Sequence, residues 1–166
     1  MSEAINMMLD GVKRKDPIWM VELGLLYCGE ANSYALEKHP ELREFCGQNP
    51  EEGFKLIAEG IVLVESQHPI AAIYDFYKRI LQVFMAEKNS VRSGEKKVTD
   101  EQFLMLLEGQ VMYSEKALTS LQAIDNAPKE LIEAFEGLAK GSKTELEAAR
   151  ERIRLQGGLQ NDLPTT

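Results

Sequence analysis

The chain has two histidines, and one of them closes a spacing with chemical meaning. Glu65-Ser66-Gln67-His68 puts a carboxylate and an imidazole three positions apart. On a helix such residues share a face and can reach one ion. Bundles that hold paired iron or manganese ions use two such motifs and two further glutamates, and carboxylate and imidazole donors suit those metals. Glu22 or Glu30 could supply one further acid and Glu108 the other. The pattern is incomplete, however. A second motif needs histidine three residues after Glu108 or Glu115, where Val111 and Leu118 stand. His68 also precedes Pro69, which crowds its backbone away from helical geometry. The acids are therefore read as structural, with no cofactor expected. A metal centre on Glu22, Glu65, His68 and Glu108 is kept as an alternative.

Glu22, Glu65, Glu108 and Glu115 each stand among apolar residues at helical spacing. Burying an ionised, unpaired carboxylate costs several kcal/mol, so such a group pairs, protonates or binds something. For Glu22, whose helical neighbours are Ile18, Trp19, Leu25 and Leu26, the expectation is an ion pair with Lys or Arg or a place at the edge of the apolar surface. No glycine-rich phosphate loop, nucleophile elbow, Ser-His-Asp set or Cys-His pair is evident, so no catalysis is expected. Cys28 and Cys46 are too few for a disulfide framework and read as reduced thiols in a cytoplasm-like compartment. Lys13-Arg14-Lys15, and Arg92 with Lys96-Lys97, could touch a phosphate or an acidic partner, but read first as solvated charge.

These residues need helices to hold them, and helix signals dominate. Asp16-Pro17 and Asn49-Pro50 each place a capping side chain before a proline at the first helical position. Thr99-Asp100-Glu101-Gln102 and Ser142-Lys143-Thr144-Glu145 read as capping boxes. Long helices are predicted at 18–38, 50–67, 70–88 and 100–124, with 89–98 as a mobile loop. Shorter helices are expected to end at Lys140-Gly141 and at Gly157-Gly158. The 61–64 run Ile-Val-Leu-Val is read as helical from its context. Positions 73, 76, 77, 80, 81 and 84 form an aromatic and aliphatic stripe of the kind that lines a core. Leu23-Gly24-x-x-Tyr27 has residue types of a tetratricopeptide helix, yet no period of that kind recurs.

The predicted fold is all-α: a four-helix bundle, orthogonal or otherwise, with shorter helices at both ends. It is expected to form one domain over 1–156, followed by a flexible tail over 157–166. With 166 residues, a net charge of −8 and a pI near 4.9, direct nucleic-acid binding is disfavoured. The N-terminus lacks a signal-peptide pattern, and the longest apolar-rich run, interrupted by Glu22, is too short to span a bilayer. The expected function is non-catalytic: a helical interaction, adaptor or regulatory protein that binds a protein partner or self-associates. Trp19, Tyr74 and Met85 are the interface candidates. A binder of a small apolar ligand, anchored by Glu22 or Glu108 in a pocket between helices, is the second reading, and the metal bundle the third.

Overall fold

The computed structural model describes residues 2–161. The fold is all-α, with seven α-helices and no strand among the described residues. The helices are α1 (Glu3–Lys13), α2 (Pro17–Tyr27), α3 (Ser33–Lys38), α4 (Pro50–Gln67), α5 (Tyr74–Arg92), α6 (Asp100–Gln122) and α7 (Lys129–Asn161). Short 3-10 turns, Pro40–Glu44 and Ile70–Ala72, follow α3 and precede α5. The contacts gather into two compact units, Met1–Val83 and Phe84–Thr166. Of the four expected long helices, α4 lies in the first unit, α6 in the second, and α5 has residues in both.

In the first unit, the helix expected over 18–38 is in fact two. Cys28 caps α2, and Gly29 takes φ +93. The Gly29 N–H donates to the Leu26 carbonyl and the Glu30 N–H to that of Leu25. That is the Schellman arrangement, which consumes two of the helix's last free carbonyls and needs a residue without Cβ strain at its left-handed position. Asn32 then caps α3 by accepting from the Tyr34 N–H at 2.9 Å. The junction between α1 and α2 is tighter. The Lys15 N–H donates to Val12 and the Asp16 N–H to Gly11, with Lys15 at φ 55. Asp16 then caps α2 through its own side chain, 3.0 Å from the Ile18 nitrogen.

Helices α2 and α4 cross with their backbones close together. A Cβ on Gly53 would stand 2.7 Å from the Gly24 carbonyl oxygen, and one on Gly60 would stand 2.9 Å from the Met20 Cβ. The small residues let the apolar faces of both helices seal, and Val21, Leu23, Leu25, Ile57, Ile61 and Val64 are all buried. Ile5, Met8, Leu26, Leu42 and Leu56 join α1 and the 3-10 turn to this core.

In the second unit, α6 and α7 pack along each other around Phe103, Leu107, Leu146 and Ala149. The Phe84 ring stacks on Tyr113 at 5.5 Å and occupies the space left by Gly109. The stretch expected as two short helices is a single one, α7. Ser142 does not cap. It is buried within α7, donates to the Leu138 carbonyl at 2.7 Å and accepts from the Gln110 amide. Glu145, read as its capping-box partner, instead pairs with Lys88 and Arg92. The capping pattern lost to these tertiary partners. Gly157 likewise lies inside α7, so the tail expected over 157–166 falls partly in a helix and partly outside the described residues.

Two alanine substitutions should shift stability in opposite directions in urea unfolding. Gly141→Ala, in an exposed turn of continuous helix with nothing within 4 Å of its new methyl, should stabilise by about 0.8–1 kcal/mol. Gly29→Ala, at φ +93, should destabilise by about 1–2 kcal/mol. A loss of stability on Gly141→Ala would restore the helix end expected there.

Candidate functional site

The first unit carries an open groove of about 330 Å³. Its walls come from three segments. Helix α1 presents Ala4, Met7 and Met8, α2 presents Ile18 and Trp19, and Ala35 and Leu42 close the third side. Asn32 and His39 stand at its margin, and Glu22 is its one lining carboxylate. Met7 is 55% exposed and forms an accessible apolar lip. Trp19 is half-buried and rests on α1 at Gly11, so its ring is fixed by packing.

Below the groove, Glu22 meets a guanidinium. Arg79 Nη1 and Nη2 donate to the two Glu22 oxygens at 2.7 and 2.9 Å. Arg79 Nε and Nη2 reach Glu30 Oε2 at 3.1 and 3.0 Å. The Arg79 side chain is only 10% exposed, against 27% for Glu22 and 21% for Glu30. Burial works against the arginine's charge, but the hydrogen bonds and charges of Glu22 and Glu30 overcome it and hold its pKa above the ordinary value. With Asp75 Oδ2 a further 3.9 Å from Arg79 Nη1, the carboxylates outnumber the guanidinium and leave the Glu22 edge of the groove net negative. The site can therefore receive apolar side chains on its walls and a cation at its acidic edge. With both its oxygens engaged by arginine, Glu22 is not placed as a free proton carrier.

The pairing expected for Glu22 is thus present, with a partner 57 residues away in sequence. The other acids go elsewhere. Glu65 accepts from the Tyr77 phenol. His68 is exposed at the end of α4 with an extended backbone, φ −128 and ψ 146, so the face it would share with Glu65 does not continue through it. Glu108 pairs with Arg150 at 2.9 Å, both about half exposed, and Glu115 pairs with Lys143. Their apolar neighbours Met105 and Met112 are 61% and 48% exposed, so apolar flanks on α6 did not mean burial. No group of three or more His, Cys, Asp or Glu able to hold a metal ion occurs among the described residues. Glu22, Glu65, His68 and Glu108 are therefore not brought together as ligands.

Of the interface candidates, Trp19 lines the groove. Tyr74 and Met85 do not line it, and both are half-buried on α5. Lys78 Nζ stands 5.7 Å from the Tyr74 ring centroid. His39 and His68 are C-caps, as the prolines after them imply. Sequence reasoning missed Arg79. The sequence did not single it out: Lys78 and Arg79 stand together between the apolar positions 77 and 80, and only the fold turns Arg79 inward. No described helix is long and apolar enough to cross a membrane.

Removing the guanidinium strands two partly buried carboxylates. Arg79→Ala should destabilise by about 3 kcal/mol, and Arg79→Lys should recover only part of this because ammonium lacks the forked geometry. A loss below about 1 kcal/mol in urea unfolding would mean that Glu22 and Glu30 are satisfied without it. Tyr77 offers a pH test. Burial, then the charge and hydrogen bond of Glu65, push its phenol up to about 12 from 10.0. A raised folded pKa means that the unfolded chain loses its proton first. Stability should therefore be full below pH 10, fall as pH rises toward about 12, and fall less steeply in Tyr77→Phe.

No family model, curated protein or solved structure matches this chain.

Proposed function

We propose that this chain is a non-catalytic binding protein whose α1–α2–α3 groove receives an apolar segment of a partner protein, with a lysine or arginine of that segment set toward Glu22. The observation that carries the reading is the groove itself: an accessible apolar surface with one acidic edge, walled by Met7, Trp19 and Leu42. Isolated exposed apolar residues are ordinary, but a concave apolar surface with a polar edge is what a partner's anchoring side chains fill. Methionine on the lip suits such a role, since its flexible thioether adapts to different shapes. Cys28 and Cys46, which are not joined in a disulfide, support a reducing compartment such as the cytoplasm. The heptad-spaced, exposed Met105 and Met112 support self-association as part of the same reading.

One observation favours a second reading, the small apolar ligand. The volume, about 330 Å³, lies at the lower end of the roughly 300–1,000 Å³ typical of small-molecule sites.

Trp19 is the chain's single tryptophan, so its fluorescence reports on the groove directly. A partner recovered in stoichiometric amount with the full chain should be lost with Met7→Lys, which puts a charge on an exposed lip without touching the core. The same partner should shift Trp19 emission in the unsubstituted protein. Partner retention by Met7→Lys with unchanged Trp19 emission would remove the groove from the interaction. A stoichiometric small molecule in the native mass spectrum, displaced together with a Trp19 shift, would establish the second reading instead.

A further inference from the structure

In the second unit, the end of α5, the start of α6 and the late part of α7 border an open, shallow cavity of about 330 Å³. Its lining is Val91, Arg92, Val98, Asp100, Phe103 and Arg152. Two arginines from different helices lie on one buried ring, each guanidinium carbon 6.0 Å from the Phe103 centroid. Bringing two like charges to one ring is unfavourable unless something opposes them. The opposition inside the protein is incomplete. Arg92 pairs with Glu145 at 3.0 Å, but that carboxylate also serves Lys88, whose side chain is only 8% exposed. Arg152 makes no ion pair among the described residues. Asp100 lines the cavity without standing within ion-pair distance of either arginine. Lys88 and Arg92 thus share Glu145, and three cations face two carboxylates, Glu145 and Asp100, in a chain whose net charge is −8. The apolar remainder of the lining, Val91, Val98 and Phe103, gives the cavity a face that a bare inorganic ion would not use.

We infer that this cavity binds a phosphate monoester carrying a flat apolar group, with the phosphate held between Arg92 and Arg152 and the apolar group against Val91, Val98 and Phe103. Guanidinium presents paired donors that match phosphate oxygens, and a phosphate group meets the one positive charge in excess of Glu145 and Asp100. The stacking of both arginines on Phe103 holds them in place before the ligand arrives, which lowers the ordering cost of binding. The site is separate from the groove of the first unit and does not depend on the function proposed there.

Isothermal titration of the full chain at low salt tests the assignment with phenyl phosphate, inorganic phosphate and phenol. Phenyl phosphate should bind at least ten-fold more tightly than either of the others. Arg152→Gln should weaken it at least ten-fold with little change in the urea midpoint, because Arg152 is exposed, makes no ion pair among the described residues and meets the Phe103 ring only at 6.0 Å. Co-sedimentation with phosphatidylcholine vesicles containing phosphatidic acid separates the sources of the ester. Retention that Arg152→Gln abolishes assigns it to a lipid headgroup, whereas phenyl phosphate binding without retention assigns it to a soluble molecule. Equal affinities for phenyl phosphate and inorganic phosphate, or indifference of phenyl phosphate binding to Arg152→Gln, would overturn the assignment.

Discussion

A guanidinium taken out of water has to be matched, and the first unit is arranged around that requirement at Arg79. An unmatched ion there would cost several kcal/mol, a large part of the stability of a chain this size. Glu22 comes from the middle of α2 and Glu30 from just beyond its end, so meeting both fixes the start of α5 against α2 and against the chain leaving it. The left-handed turn at Gly29 is what makes this possible: had α2 continued as a helix, Glu30 would have followed the helical path of Glu22's element. The ion cluster and the helix stop are thus one device. The groove lies above it, with Glu22 belonging to both.

The glycine-mediated crossing of α2 and α4 does complementary work. It lets the two helices meet closely enough to bury most of their branched side chains, among them Val21, Leu23, Ile57 and Ile61. Because α2 spends its apolar surface on α4 and α1 together, no single face of it is polar, and Glu22 is the only charge it carries. The groove is then the place where that surface runs out of internal partners. In the second unit the cations are distributed differently. Glu145 is shared between Lys88 and Arg92 while Arg152 is left with an aromatic face, and a protein of acidic composition gains one locally basic cavity.

Several features were legible along the chain because they are local. Asp16, Asn49 and Thr99 cap the helices that their spacing implied, and the prolines after His39 and His68 mark helix ends. The stripe of α5 is buried at Ile73, Tyr77, Ile80 and Leu81 because a helical period of apolar residues admits one inward face. Reasoning failed where one local pattern serves two purposes. Ser142 and Glu145 have the spacing of a capping box, yet Gln110, Lys88 and Arg92 supplied better partners from outside the helix. Gly29 was expected inside a helix and Gly141 at a helix end, and the structure reverses both. Only the first ends a helix, since its end meets packed chain at Gly47, whereas Gly141 lies on an open face where nothing competes with continuing.

The acids show the division most clearly. The sequence alone limited Glu22, a carboxylate among Ile18, Trp19, Leu25 and Leu26, to an ion pair or a place at the edge of the apolar surface. That the counter-charge is Arg79, shared with Glu30, was decided by the tertiary structure, since pairing across 57 residues depends on how α5 returns to α2. For Glu108 and Glu115 the sequence showed the same apolar flanks, but α7 covers only one side of α6, so those acids remain at the surface beside Arg150 and Lys143. Helical class, helix starts and the demand for charge matching are properties of neighbours in the chain. Which faces meet, where a groove stays open and which carboxylate serves which cation arise only when distant segments compete for the same space.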